Sequence, residues 1–377
     1  SYAKLLGSLE RDNKNIQKYA KPLMSSANPA VRCAGLGLWL KAAGSDGTKD
    51  VISALKDKDI QYRNTALALA PEYCGEGIFA SVAAGFGKLS APAKIDVIRW
   101  IGNNHAKAGE NIVAESFASG DTTLAREAIA AASKIGGEKM LAALVKEISG
   151  TNANEAKAAL LSFNGNINGE IIKTLNAASD AKTIIPALEI AGTRHIHDAY
   201  QKVASLTQSA DATVSNAAFS ALGGVASPAV YNDVCLMLDK SQGESTAKLQ
   251  KAAAAAIAAQ SGDKQFELVS ASMKKSSHPE YYYPLLAQAA TDGAIAEIEK
   301  GMAQGNTSKA ASDAMLKVNN PAVLPILIKM ARKAQGDEKD NILGRYLTLT
   351  EKNNVNAVRK YQLLRDALDL KPSDKLT

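Results

Sequence analysis

The stretch Asn28-Pro29-Ala30-Val31-Arg32, followed by the apolar run from Cys33 to Leu40, is the first of several similar stretches along this chain. Its counterparts are 59–63, 90–94, 122–126 and, more loosely, 153–157, and each leads into an apolar segment. The basic residue that ends each stretch lies at position 32, 63, 94, 126 or 157, so the intervals are 31, 31, 32 and 31 residues. A constant interval of about thirty residues is the signature of stacked structural repeats.

The local chemistry of each stretch predicts a pair of helices. Asn28 is a good helix cap and Pro29 suits a first helical turn. The third and fourth residues after each basic residue are apolar or small, which places them on one stripe of a helix. A lone helix pair cannot bury both of its stripes, so neighbouring pairs must stack. We therefore predict an all-α fold, an α-α superhelix that forms a curved solenoid of about eleven stacked antiparallel helix pairs.

The later repeats keep this rhythm with a looser sequence. We place their helix pairs at 168–191, 197–224, 228–260, 262–291, 293–318 and 320–350. No linker rich in Gly, Ser or Pro divides the chain, which predicts one continuous array over 1–377, most regular in 1–165 and divergent in 166–350. The last part, 351–377, carries a helix at about 355–370, and we expect it to cap the array with a polar outer face.

The repeats resemble HEAT repeats, the armadillo-like units in which an acidic or Asn turn, a Pro and then Val-Arg open the second helix. Asn28-Pro29-Ala30-Val31-Arg32 follows this pattern, and 57–63 has both acidic turn positions, Asp57 and Asp59. The resemblance implies the fold rather than an activity, because HEAT-like arrays act as scaffolds, as transport factors and occasionally as enzymes.

The composition favours the same fold. Hydrophobic residues make up 46% of the chain but aromatic residues only 5%, so most of the apolar content is small or aliphatic and suits closely packed helices. The formal net charge of +6 is small for 377 residues, which argues against a nucleic-acid-binding protein. No apolar run is long enough to predict a membrane span.

No pattern typical of catalysis, of a cofactor or of a metal site is present. The chain has no nucleophile elbow, phosphate-binding loop or Rossmann glycine pattern. The pair His195 and His197 lacks further ligands at metal-binding spacing, and Cys33, Cys74 and Cys235 are far apart. We therefore expect a protein that is not an enzyme, with no cofactor and no bound metal.

Two groups of residues are candidates for contacting a partner. The first, which we call the basic ladder, has either a structural role, in which each base bonds acidic turns and carbonyls, or an anion-binding role. The second, Tyr281 to Tyr283, either fills the core or forms a recognition patch. The members of the basic ladder are Arg32, Arg63, Lys94, Arg126 and Lys157.

These features favour a monomeric scaffold that binds a protein partner or a neighbouring domain of a longer polypeptide. The Ala/Lys/Asn-rich style is also similar to helical regions beside 3-keto-disaccharide hydrolase-type domains in large secreted bacterial proteins, which implies an accessory module as one alternative. A HEAT-like nucleic-acid-binding protein is another. The chain starts at Ser1 and not at Met, so we expect a segment upstream, and prefer a periplasmic or secreted location to a cytoplasmic one.

Overall fold

The computed structural model describes residues 13–370, and these residues form helices and no β-strand. In this range the helices alternate as first and second members of eleven pairs, followed by one last helix, as the repeat spacing predicted. Pairs 1 to 6 are α1 (Asn13–Met24) and α2 (Pro29–Ala43), α3 (Thr48–Ala54) and α4 (Ile60–Cys74), α5 (Gly77–Gly85) and α6 (Ala91–Asn103), α7 (Glu110–Ser116) and α8 (Thr122–Ile135), α9 (Glu138–Glu147) and α10 (Ala153–Leu161), α11 (Asn168–Ala177) and α12 (Ala181–Thr193). Pairs 7 to 11 and the last helix are α13 (Tyr200–Leu206) and α14 (Ala212–Val225), α15 (Tyr231–Asp239) and α16 (Glu244–Ile257), α17 (Gly262–Met273) and α18 (Tyr283–Ala289), α19 (Asp292–Met302) and α20 (Ser308–Met315), α21 (Leu324–Lys333) and α22 (Gly336–Lys352), then α23 (Ala357–Leu368).

Side-chain caps fix where several second helices begin. Asn28 accepts hydrogen bonds from the backbone N–H groups of Ala30 and Val31, and Pro29 is the first residue of α2. Asp59, Asp121 and Asp211 cap α4, α8 and α14 in the same way. Each cap provides an acceptor for backbone donors that a helix start leaves without an intrahelical partner.

The end of α4 is set by a glycine and not by a proline. The helix continues through Pro71 to Cys74 and ends at Gly75, whose φ is +76°. A proline inside a helix removes one hydrogen bond, whereas a residue in the left-handed region stops the helix, and glycine adopts that region without steric cost.

The chain divides into two compact units, Ser1–Ile190 and Ala191–Thr377, and the boundary falls within α12. In the first unit, second helices pack on the second helices of the next pair, from α2 through α4, α6 and α8 to α10. First helices contact one another in the same way, as α3 does with α5 and α7 with α9. The second unit repeats this arrangement along α14, α16, α18 and α20. Each unit is therefore a stack of helix pairs, and the single array over 1–377 stays a prediction.

Small side chains let neighbouring second helices approach closely. A Cβ atom placed on Gly102 of α6 would lie 2.8 Å from the Cα atom of Ala131 in α8, closer than real Cβ atoms come to backbone. Around such crossings the core is built from alanine and aliphatic side chains, including Ala128, Ile129 and Ala132, which are at most 1% exposed. The alanine-rich composition is thus used to bring helices together.

The last helix, α23, lies where the sequence predicted, but its outer face differs from the expectation. The helix buries Leu363 and Ala367, while Val358, Tyr361 and Leu368 are 69%, 67% and 60% exposed. The expected polar outer face is therefore wrong, because the apolar residues of α23 lie on two opposite sides of one helix and the array covers only one side.

Among residues 13–370, no helix combines the length and the apolar character that a membrane crossing requires.

Candidate interaction surface

The first member of the basic ladder joins pair 1 to pair 2. The guanidinium group of Arg32 forms an ion pair with the carboxylate of Asp57, in the turn before α4, and lies 4.3 Å from the centre of the Tyr62 ring. Asp57 also accepts a hydrogen bond from the backbone N–H of Asp59 at 2.9 Å. This backbone hydrogen bond, followed by the charge and hydrogen bond of Arg32, holds the pKa of Asp57 below its ordinary value.

Arg63 is buried and joins pair 2 to pair 3. Its Nη2 atom lies 2.7 Å from Oδ2 of Asp96 on α6, and the side chains of both residues are 4% exposed. The same guanidinium group donates from Nη1 to the backbone carbonyls of Asp57 at 3.0 Å and Lys58 at 3.1 Å. The base thus satisfies both a buried carboxylate and the carbonyls of its own turn, as the structural interpretation of the ladder expected, but its acidic partner is Asp96 rather than Asp57 or Asp59.

The remaining members of the ladder lie closer to solvent. Arg126 forms an ion pair at 2.9 Å with Glu155 of pair 5, and its side chain is 64% exposed. Lys157 pairs with Glu189 of α12. Lys94 differs from the others, because it contacts an aromatic ring: Nζ lies 5.6 Å from the centre of the Phe86 ring.

Four of the five ladder positions therefore pair with a carboxylate of the following repeat. A further pair of the same kind, between Arg99 and Glu127, links α6 to α8 and was not predicted. The sequence signal for it was an acidic residue about thirty positions after the base, on the next second helix. Arg32 differs, because its partner Asp57 lies in a turn 25 positions away. The ladder holds neighbouring repeats in register, and its carboxylate partners neutralise much of its positive charge.

The tyrosine cluster is divided between core and surface. Tyr282 and Tyr283 are 0% and 2% exposed, so a docking partner cannot reach these two rings. The hydroxyl of Tyr282 donates to Oδ1 of Asp239 at 3.0 Å. Tyr281 is half-buried and stacks on His278, with ring centres 4.8 Å apart. The cluster as a whole is therefore not a recognition patch, because stacking of the repeats places two of its three rings inside the second unit.

Three of the four histidines bond to backbone carbonyls, and the fourth, His278, bonds to the carboxylate of Glu280. Nδ1 of His195 lies 3.1 Å from the carbonyl oxygen of Gly224, and Nδ1 of His197 lies 3.1 Å from that of Val225. His105 makes the same kind of contact with Lys134 at 2.6 Å. These rings therefore bond to the carbonyls at the C-terminal ends of the neighbouring second helices, α14 and α8. Within residues 13–370, no cluster of His, Cys, Asp and Glu has the arrangement of a metal site.

The second helices of the first unit also present small side chains to solvent. Ala68 of α4, Ala130 of α8 and Ala158 of α10 are all exposed, although most other alanines of these helices are buried. Because these helices pack side by side, the exposed alanines lie along one row of second helices, beside exposed basic side chains such as Arg126 and Lys134. We call the exposed side of α2, α4, α6, α8 and α10 the second-helix surface.

The paired helices, their caps and the stacking of second helix on second helix define a HEAT-like helical-repeat fold. No protein-family model matches the chain, and no curated protein sequence matches it. Among solved structures, the chain is similar to importin beta in an ammonium sulfate condition, with 10% identity, 95% of this chain and 62% of that chain covered, and a TM-score of 0.45. The chain is also similar to importin beta in a polyethylene glycol condition, with 12% identity, 98% of this chain and 60% of that chain covered, and a TM-score of 0.44.

A third solved structure is a tumor overexpressed gene (TOG) domain array of a microtubule polymerase, described for tubulin recruitment and assembly. Identity with it is 11%, coverage is 90% of this chain and 92% of that chain, and the TM-score is 0.31. The chain spans about three fifths of the length of the importin beta structures.

Proposed function

We propose that this chain is a non-catalytic interaction module whose second-helix surface binds an acidic segment of a protein partner or a neighbouring domain. The observation that carries the proposal is the row of packed second helices in the first unit, with exposed Ala68, Ala130 and Ala158. A surface built from several stacked helices can contact a long stretch of a partner, which a single helix pair cannot do. The ion pairs between repeats support it by keeping that surface in one geometry.

The charge of the surface supports an acidic partner. Exposed Arg126, the half-exposed Lys157 and Lys94 all project from second helices, and rim charges of this kind steer an oppositely charged partner. The same charges give less support to nucleic-acid binding, because Glu155 and Glu189 already pair with Arg126 and Lys157. The affinity of the chain for labelled duplex DNA at about 50 mM salt tests the nucleic-acid alternative directly, since non-specific DNA binding is strongest at low salt.

The test uses matched alanine positions. The partner is first isolated from the native host, and its affinity for the parent chain is measured. We expect Ala130→Glu and Ala158→Glu, on second helices, to weaken the affinity roughly tenfold or more, because each adds a carboxylate where an acidic segment lies. Ala142→Glu is the control, because Ala142 is also exposed but lies on α9, a first helix. Equal losses at all three positions, or none, would contradict the proposed surface.

The accessory-module alternative makes a different prediction in the same assay. A module that serves an attached sugar-hydrolase-type domain has its partner in the same polypeptide. The chain then binds that domain when both are expressed separately, and the same glutamate variants on α8 and α10 weaken the contact.

A further inference from the structure

The outer face of α23 is an unpartnered apolar stripe. Of the seven large hydrophobic side chains that are exposed in the described residues, four lie on this one helix: Val358, Tyr361, Leu364 and Leu368. Their spacing of three, three and four residues puts them on one side of the helix, over about 15 Å of its length. Single exposed hydrophobic residues are ordinary, but a continuous stripe of this kind marks a contact surface.

The opposite side of α23 is firmly attached to the second unit. Leu363 and Ala367 are 5% and 2% exposed. The hydroxyl of buried Tyr346, on α22, donates to the backbone carbonyl of Leu363 at 3.0 Å. Asn356 caps the helix by accepting from the N–H of Arg359 at 2.9 Å. Because these contacts fix the opposite side of α23 against the second unit, the stripe faces away from that unit.

The position of α23 in the alternation indicates what kind of element covers the stripe. It follows α22, a second helix, and so takes the place of a first helix in a twelfth pair. In pairs 7 to 11, each first helix packs on the second helix of its own pair. Only α23 has no second helix after it in the described part of the chain, and its stripe faces away from α22.

The charges beside the stripe indicate the chemistry of the covering helix. Arg365 lies on the outer face between Tyr361 and Leu368, and no carboxylate of residues 13–370 lies within ion-pair distance of its guanidinium group. Lys360 flanks the stripe on one side and donates to the carbonyl of Glu351 at 3.1 Å, while Asp369 flanks its C-terminal end. The middle of the stripe is thus positive, and an acidic helix complements it.

A second copy of this chain complements it poorly. If two α23 helices pack antiparallel with their stripes in register, the two Arg365 residues lie about 6 Å apart along the helix axis. Two like charges without carboxylate partners then meet at the centre of a contact that spans only three turns, and like charges at an interface are destabilising.

Resting on the proposed function, we propose that the outer face of α23 docks an amphipathic helix of the acidic partner protein. The apolar side of that helix lies on Val358, Tyr361 and Leu368, and an Asp or Glu side chain pairs with Arg365. In this arrangement the partner supplies the second helix of a twelfth pair, which is the helix-in-groove mode of recognition with the groove formed by the end of a repeat stack.

The test uses the full chain and two labelled helical peptides that share one leucine stripe. One peptide carries glutamates beside the stripe and the other carries lysines, and binding is followed by fluorescence anisotropy at low salt. We expect the glutamate peptide to bind roughly tenfold or more tightly than the lysine peptide. Arg365→Glu should remove this preference. Tyr361→Ser combined with Leu368→Ser should weaken the glutamate peptide roughly tenfold or more.

The control is Leu236→Ser, because Leu236 is 61% exposed but lies on α15. It should leave both affinities unchanged, and circular dichroism should be the same for every variant, since all the altered side chains are exposed. Equal binding of the two peptides, or no effect of the double variant, overturns the proposal. Self-association of the parent chain that the double variant abolishes overturns it too, in favour of a second copy.

Failure here is distinguishable from failure of the proposed function. If the native partner is weakened by Ala130→Glu but binds the Tyr361/Leu368 double variant as it binds the parent, the second-helix surface stands and the α23 site falls. If only the double variant weakens the partner, the second-helix surface falls instead.

Discussion

Arg63 and Arg126 occupy the same place in two repeats but differ in burial. Both are ladder residues that pair with a carboxylate of the next repeat. The Arg63 and Asp96 side chains are 4% exposed, whereas Arg126 is 64% exposed. Removing one member of a buried ion pair leaves an unpaired charge in the interior, while an exposed pair is replaced by water at little cost.

We therefore expect Arg63→Ala to lower the free energy of unfolding by about 3–5 kcal/mol. Arg126→Ala, the matched control, should cost less than about 1 kcal/mol. Urea unfolding followed by circular dichroism measures both. Arg63→Met combined with Asp96→Leu should recover much of the loss, because neither charge is then buried alone. A single Arg63→Ala variant that unfolds like the parent would mean that the guanidinium group is exposed in solution.

Tyr281 and Tyr282 are neighbours with different environments. Tyr282 is completely buried and bonds to Asp239, so Tyr282→Ala leaves a cavity and removes one of the two hydrogen bonds that Oδ1 of Asp239 accepts, the other coming from Ser276. We expect a loss of about 3–5 kcal/mol in the free energy of unfolding for Tyr282→Ala. Tyr281→Ala should cost about 1 kcal/mol or less. Thermal unfolding of both variants is the measurement, and similar melting temperatures would contradict the burial of Tyr282.

At the scale of the helices, two adjacent glycines in α14 have opposite surroundings. A Cβ atom on Gly224 would lie 1.8 Å from the carbonyl oxygen of Gly192, near the end of α12, whereas the nearest atom to a Cβ on Gly223 is the Cα of Ala252 at 4.0 Å. The first position is a backbone-to-backbone crossing and the second is an ordinary helical site.

Gly224→Ala should therefore destabilise the chain by about 1–3 kcal/mol, because the two backbones must separate. Gly223→Ala should stabilise it by about 0.5–1 kcal/mol, since alanine favours the helix more than glycine does. Chemical unfolding of the two variants in parallel provides the comparison. The opposite order of stabilities would show that α12 and α14 do not cross at Gly192 and Gly224.

At the scale of the whole molecule, the two units differ in their buried phenols. Burial raises the pKa of Tyr200 and Tyr346 to about 12, and raises the pKa of Tyr231 and Tyr282 as well, and all four lie in the second unit. In the first unit burial also raises the pKa of Tyr62 and Tyr73. Both tryptophans, Trp39 and Trp100, belong to the first unit.

Because the folded-state pKa of these phenols is higher than the unfolded value, their contribution to stability is complete below about pH 10 and is lost as the pH rises towards about 12. We expect part of the helical circular dichroism signal of the chain to be lost in this window before tryptophan fluorescence, which reports the first unit, changes. Tyr200→Phe with Tyr346→Phe should move the alkaline transition to higher pH. A tryptophan signal that changes first would contradict this order.

The amino-acid sequence alone determined the parts of this protein that depend on neighbours a few residues away. The starts of α2, α4 and α8 could be predicted because Asn28, Asp59 and Asp121 bond to backbone N–H groups two or three positions further on. The alternation of first and second helices followed from apolar spacing within single segments. Both signals are local, so the regular distance between them was enough to predict the stacked pairs.

Only the tertiary structure decided which side chains meet across repeats. Arg63 could pair with Asp57, Asp59 or Asp96, and the stacking of α4 on α6 selected Asp96, 33 positions away. The same stacking placed Tyr282 in the core and left Tyr361 of α23 exposed. Helical periodicity gives the faces of a helix but not which face the next helix covers, because that depends on the crossing of two elements rather than on the spacing within one.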